Sequence, residues 1–188
     1  LSAMTLGIEI VDVTAAQMEA ELPAFAALLH DCVEAGASIN FVLPFSLAEA
    51  EGFWGRKVLP GLRDGGLIVL AAQEADRIVG SVQLDHDTPP NQRHRAEVRK
   101  LLVHPDCRRR GIARLLMAEI ERRAAALGRS LLTLDTRTGD MAEPLYVSLG
   151  YRIVGTIPGF CRDTLVERYD PTTIMYKPLA THFPGGLA

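Results

Sequence analysis

The chain has 188 residues, 48% of them hydrophobic and 23% charged, with a formal net charge of −3. That balance suits one globular domain with a real core. A charge so close to neutral argues against a nucleic-acid or membrane surface as partner.

Ile8 to Val13 alternates and is rich in β-branched residues, the pattern of a first strand. Thr14-Ala-Ala-Gln17 has the spacing of a capping box. Met18, Leu22, Phe25, Leu28, Leu29, Cys32 and Val33 then form the apolar stripe of one helix that Gly36 ends. Ser46-Leu-Ala-Glu49 is a second capping box, opening a helix through Trp54 and Val58 that Pro60 and Gly61 terminate. The linker between the helices, Ala37 to Pro44, mixes polar and apolar side chains. Leu67 to Gln73 and Arg77 to Asp85 read as an antiparallel hairpin turning at Ala75-Asp76. A polar loop from His86 to His94 is stiffened by Pro89-Pro90, and the central strand runs from Ala96 to Val103.

A long helix is predicted from Gly111. Ile112, Leu115, Leu116, Ile120, Ala124 and Leu127 share one face, and Gly128 is its stop. The remainder reads as a strand from Ser130 to Thr136, a short helix from Gly139 to Leu149 and a strand from Tyr151 to Ile157. A loop from Cys161 to Thr173 over the sheet and a last strand from Ile174 to Leu179 complete the chain. The order β-α-α-β-β-β-α-β-α-β-β is α/β with a mixed sheet. No repeat, low-complexity tract or interdomain linker divides it, so a single domain is expected over 4–180. Leu1-Ser2-Ala3 ahead of Met4 reads as an expression remnant, and 181–188 as a C-terminal tail.

Three cysteines, Cys32, Cys107 and Cys161, leave an odd number without metal spacing, and the five histidines form no helical metal pair. Reduced cytoplasmic thiols and no metal are therefore expected. Neither a signal peptide nor an apolar run of membrane-spanning length stands out. Cys107, beside three arginines and near a helix N-terminus, is placed for a lowered pKa, but no His or Asn partner can be set beside it as for an acyl-carrying nucleophile.

The richest stretch lies between the central strand and the long helix. From Arg93 to Arg114 there are eight basic residues (Arg93, Arg95, Arg99, Lys100, Arg108, Arg109, Arg110, Arg114) against two acidic ones. A compact basic patch on a mildly acidic protein suits a small polyanion, though some of these arginines would simply be solvated. A turn into a helix N-terminus exposes free backbone N–H groups at the positive end of the helix dipole, a place for phosphates. The glycine spacing is neither a P-loop, since no Gly-Lys-Ser/Thr follows, nor G-x-G-x-x-G.

Arg108-x-x-Gly111-x-Ala113 resembles the acetyl-CoA pyrophosphate loop of the GCN5-related N-acetyltransferase (GNAT) family, Gln/Arg-x-x-Gly-x-Gly/Ala. Lys100-Leu-Leu-Val-His-Pro105 before it and Leu145-Tyr146-Val-Ser-Leu-Gly150-Tyr151 after it are similar to further family signatures, and Ile174-Met-Tyr-Lys-Pro-Leu179 looks like the family's closing strand. The chain departs at Gly139, where many members carry Asn, and at Pro144, which shortens the helix bearing Tyr146. Within the family it most resembles toxin-resistance members, through Leu28-Leu-His-Asp, Gly36-Ala-Ser, Arg95-Ala-Glu-Val, Leu134-Asp-Thr and Gly155-Thr-Ile-Pro-Gly-Phe-Cys161.

The resemblance implies a central mixed sheet with splayed fourth and fifth strands, helices on both faces, and acetyl-CoA as co-substrate. It places the donor on the Leu101, Leu102 and Val103 backbone and on Arg108, Arg109, Arg110, Gly111, Ile112, Ala113 and Arg114. Glu97 and Asp135, on strands that would be neighbours, are the candidate bases, since a partly desolvated carboxylate near another has a raised pKa. Either could instead serve structure, Glu97 paired with Arg95 or Arg99 and Asp135 anchoring a loop. Tyr146 is the candidate acid for the CoA thiolate, or else a packed helix tyrosine. Ser38, Asn40 and Phe41 in the linker are the candidate acceptor contacts. The implied function is direct acetyl transfer to an amine or hydroxyl of a small molecule, by a monomer or homodimer. Acetylation of a protein N-terminus or lysine, and CoA sensing without turnover, are the alternatives.

Overall fold

The computed structural model describes residues 7–179. The segments read as a remnant and a tail lie outside them. Seven strands make one sheet: β1 (Ile8–Asp12), β2 (Leu67–Glu74), β3 (Arg77–Asp85), β4 (Arg95–Val103), β5 (Leu131–Arg137), β6 (Arg152–Arg162) and β7 (Tyr169–Pro178). Their spatial order is β1-β2-β3-β4-β5-β7-β6. Every pairing is antiparallel except β4 with β5. A parallel neighbour needs a crossover, and α5 (Ile112–Ala126) supplies it.

Helices cover both faces. On one, α1 (Ala15–Ala20), α2 (Leu22–Glu34), α3 (Leu47–Phe53) and α4 (Leu59–Asp64) bury Phe25, Leu29 and Trp54 against Val69 and Ala71 of β2. On the other, Ile112, Leu116 and Ile120 of α5 pack on Val82, Leu84, Val98 and Leu132. Each such side chain contributes about 1.5–3 kcal/mol by leaving water, set against the entropy of ordering the chain. The fold class read from the sequence, a mixed α/β sheet, is the one observed.

Both capping boxes form: Thr14 with Gln17 and Ser46 with Glu49. Three boundaries differ from the sequence reading. The first helix is two, because Pro23 has no N–H to continue a helical ladder and instead sits in the opening turn of α2. The second does not stop at Pro60-Gly61. A π-helical turn over Trp54–Val58 lets Pro60 fall in the first turn of α4, and Gly65, at φ 75°, ends it. Finally, β6 runs past Pro158-Gly159 to Arg162 and β7 begins at Tyr169, so the loop is shorter than expected. As the edge strand, β6 tolerates a residue without N–H, and the register skips between Ile157 and Cys161.

One glycine sets how closely α5 lies on the sheet. A Cβ on Gly80 of β3 would stand 3.0 Å from the Leu102 carbonyl oxygen, 3.1 Å from Leu116 Cδ1 and 3.2 Å from Ile112 Cγ2. Gly80→Ala is predicted to lose about 1–3 kcal/mol of stability by overpacking. A lowered urea midpoint at constant m-value checks this; an unchanged midpoint contradicts the close packing.

Candidate active site

The site begins where the sheet opens. β4 and β5 pair only as Arg95↔Leu131, Ala96↔Leu132 and Glu97↔Thr133. Beyond Glu97 the strands part, and a cleft of about 900 Å³ fills the gap. Its lining runs from Glu97 through Val103 on one side and from Asp135 to Arg137 on the other.

The expected phosphate turn closes one end. After β4, His104 caps a short 3₁₀ turn over Pro105–Cys107, Arg109 takes φ 65° and Gly111 takes φ 81°. Gly111 is the N-cap of α5 and no side chain caps the helix, so the N–H groups of its first turn stay available at the positive end of the dipole. A Cβ on Gly111 would meet nothing within 4 Å, so the glycine is there for its left-handed backbone rather than for space. The turn is fastened from behind. His104 Nε2 lies 3.0 Å from Asp31 Oδ2 on α2, the His104 N–H donates to the Val79 carbonyl at 2.9 Å, and Arg77 reaches Asp106 at 3.3 Å.

Of the residues assigned to the donor, Leu101, Leu102, Val103, Arg108, Arg109, Gly111, Ile112, Ala113 and Arg114 line the cleft. Arg110 does not. Its guanidinium is turned to Glu74 on β2, an ion pair that ties the turn to the sheet. Arg108 Nε donates to the Val103 carbonyl at 3.3 Å, and Arg114 donates to Ser148 Oγ at 2.7 Å. Cys32 lines the same end, and burial pushes its thiol up to about 11, so it holds its proton.

Glu97 and Asp135 both project to the face of the sheet opposite α5, because Ala96, Val98 and Leu134 between them enter the α5 core. Burial pushes the Glu97 carboxyl above the ordinary carboxylate range; Arg99 opposes this, while the charges of Asp85 and Asp135 add to it. The alternative reading of Glu97, a pair with Arg95 or Arg99, is not observed, since Arg99 takes Asp85 at 2.7 Å and Arg95 takes Gln92 at 2.7 Å. Asp135 accepts a hydrogen bond from Thr172 Oγ1 of β7 at 3.0 Å. Tyr146 also lines the cleft, from α6 (Ala142–Ser148), with its ring 5.8 Å from that of Tyr151. Burial raises its phenol well above the usual value, with Asp135 and Asp140 reinforcing this. α6 carries Pro144 in its first turn, where a missing N–H is tolerated, and brings Tyr146 to the opening. Gly139, at φ 79°, donates its N–H to Glu143 at 3.1 Å.

At the far end the linker and the end of β6 form a wall. Ser38 and Asn40 line it, and Ser38 Oγ stands 3.8 Å from Cys161 Sγ. Phe41 is set behind the lining, tilted against Phe45 and edge-to-face with Phe53. The wall is held by Leu43 N–H to the Thr164 carbonyl at 3.0 Å and Thr164 Oγ1 to the Ala37 carbonyl at 2.9 Å. Below it, Asp163 accepts from the Leu165 and Val166 N–H groups, which with Arg137 at 2.9 Å holds its carboxyl low.

Lys100 had no place among the candidate residues. β4 is bulged at this residue: Ser81 pairs with Leu102 but Gln83 pairs with Arg99, and Lys100 takes φ 52°. A non-glycine residue there costs on the order of 1 kcal/mol. The extra residue shifts the alternation by one, so Lys100 leaves the α5 face on which Ala96 and Val98 lie. Its Nζ instead donates to the Ile39 carbonyl at 2.8 Å, 5.7 and 5.8 Å from the Phe41 and Phe53 ring centroids. Burial, with Arg99 nearby, lowers its pKa to about 8 against the opposing charges of Asp135 and Glu97. The only sequence signal was a lysine at a strand position that simple alternation assigns to the core.

Among the described residues no group of His, Cys, Asp and Glu is placed to hold a metal, and no helix is long and apolar enough to cross a membrane. Two parallel strands that part beside an uncapped helix N-terminus leave backbone for an extended donor and N–H groups for its phosphates, an arrangement that belongs to the acyl-CoA-dependent N-acetyltransferases. A family model described as the acetyltransferase (GNAT) family matches residues 39–151, and the chain belongs to that family. It is therefore an acetyl-CoA-dependent acetyltransferase. Solved structures agree. A ribosomal-protein-alanine N-acetyltransferase from Brucella melitensis is 26% identical, with a TM-score of 0.72 over 90% of this chain and 99% of its own. A putative acetyltransferase from Salmonella typhimurium, solved with its cofactor acetyl-CoA, is 18% identical, with a TM-score of 0.73 over 94% and 96% of the two chains. A putative phosphinothricin N-acetyltransferase is 16% identical, with a TM-score of 0.71 over 92% and 99%.

The lowered Lys100 pKa makes a stability prediction. In the folded chain the neutral amine is favoured below the unfolded value of 10.5, so folding of the native chain gains as pH rises between about 8 and 10.5. The stability of Lys100→Met relative to the native chain should fall over that window, measured by urea unfolding at pH 7 and pH 9.5. A difference independent of pH would contradict the buried ammonium.

Proposed function

We propose that the protein acetylates a small, amino-acid-like molecule of the toxin or antibiotic type, by direct transfer from acetyl-CoA in one ternary complex. The observation that carries this reading is the pair Glu97 and Asp135, on one face of the sheet where β4 and β5 part. Acetyl-CoA supplies an activated acyl group. The N–H groups opening α5, with Arg108, Arg109 and Arg114, would hold its phosphates, and the unpaired length of β4 through Leu101 would carry its arm.

In this scheme Glu97 or Asp135 takes the proton of the acceptor amine or hydroxyl. The acceptor forms the new bond to the acetyl carbon, and the carbon–sulfur bond breaks. Tyr146 gives its proton to the departing thiolate, and its raised pKa keeps that proton in place until then. No cysteine is needed as an acyl carrier. The choice of acceptor rests on the tabtoxin resistance acetyltransferase, which the chain resembles. Two of the shared stretches, Gly36-Ala-Ser38 and Gly155 to Cys161, meet at the far wall of the cleft. The likeness to the Brucella melitensis enzyme favours a second reading, with a protein N-terminus as acceptor.

Glu97→Gln with Asp135→Asn should lower turnover by about 10²–10⁴-fold while leaving acetyl-CoA affinity unchanged, as read by thiol release and calorimetry. Because the Glu97 carboxyl is raised, kcat/KM in the native enzyme should fall with decreasing pH at a value above that of an ordinary carboxylate. Unchanged turnover in the double variant would remove both carboxylates from the chemistry.

A further inference from the structure

Lys100 is the charged group of the cleft that this chemistry leaves idle. Its ammonium has three N–H donors, and one protein acceptor, the Ile39 carbonyl, engages it. No carboxylate among the described residues forms an ion pair with it, although Glu97 and Asp135 are close enough to act on its charge. The other cations at this end are committed, Arg99 to Asp85 at 2.7 Å and Arg137 to Asp163 at 2.9 Å. A cation withdrawn from water without a counter-ion is unfavourable, and here a strained bulge is spent on aiming it away from the α5 core and into the cleft.

We infer that Lys100 holds the carboxylate of the acetyl acceptor. The preferred acceptors then carry an anionic group beside the amine or hydroxyl that is acetylated, as a free amino acid does. This rests on the acetyl-transfer reading of the same cleft. The charges suit a zwitterion: Glu97 and Asp135 attract its ammonium and receive its proton, while Lys100 supplies the missing positive partner for its carboxylate. Phe41 and Phe53 lie beside the largely buried ammonium, 5.7 and 5.8 Å from it to their ring centroids, and the pairing gains from the lowered dielectric there. A peptide N-terminus has a neutral amide in that place and leaves Lys100 unpaired. Selection by the unpaired site group is then strong, because a buried charge without its partner penalises the wrong ligand.

The test is a thiol-release screen of native enzyme with the proteinogenic amino acids, each as free acid and as α-carboxamide, beside calorimetric titration with acetyl-CoA. The expected result is a kcat/KM at least about tenfold higher for the acid, carried by KM. The amine of the carboxamide is the weaker base and more often deprotonated, which works against this result and sharpens it. In Lys100→Met the acid preference should disappear, with the KM of the acid rising until acid and amide are used alike. Equal use of acid and amide by the native enzyme, or an acid preference that survives in Lys100→Met, overturns the inference. So does turnover of no free acid while acetyl-CoA still binds, which leaves the donor reading standing. Failure of acetyl-CoA to bind removes the donor reading as well. Should Lys100→Met not fold, the native acid-to-amide ratio decides.

Discussion

Three residue pairs hold β4 to β5, and the rest of the site depends on the fact that there is no fourth. Beyond Glu97↔Thr133 the two strands diverge, and their backbone groups on the facing edges are left without partners in the sheet. What closes the sheet behind the gap is α5, whose buried face grips β3 and β4 while its N-terminus stays open to the cleft. The same helix thus seals the core and presents its uncapped N-terminus to the cleft. Gly80 sets its distance from the sheet and Gly111 sets the direction from which the chain enters it.

The β4 bulge is the second constraint. It reverses the facing of every residue after Arg99, so that Leu101 and Val103 enter the α5 core while Leu102 packs on the opposite side. An unbulged strand would bury a lysine under α5 and leave this end of the cleft only with cations already paired to carboxylates. The fold accepts a strained backbone and a poorly solvated ammonium at one residue. Both features lie where the cleft meets the wall built by the 37–44 linker and the end of β6, and strain of this kind gathers at functional sites.

Most of the fold was legible because it rests on local chemistry. Two capping boxes, a 3.6-residue stripe over Ile112 to Ala124, and two apolar runs joined by the Ala75-Asp76 turn each name their element without tertiary help. The misread boundaries all involve proline, whose effect depends on context. Pro23 and Pro60 open helices, and Pro158 lies within an edge strand. At the site, the turn, Glu97, Asp135 and Tyr146 could be named from motif and strand neighbours. Arg110 was assigned to the donor by its place in the motif, but Glu74, distant in sequence, claims it. Lys100 was missed for the converse reason: a bulge is a property of two paired strands, and alternation along one strand cannot reveal it.

The central claim is that the donor lies in the gap between β4 and β5 with its phosphates on the N-terminus of α5. Amide chemical shifts followed during titration with acetyl-CoA test this most directly. The account predicts that the largest shifts fall on Arg108 to Arg114 and on the part of β4 beyond Glu97, with the far edge strand β1 unmoved. Saturable binding with those amides undisturbed would contradict it.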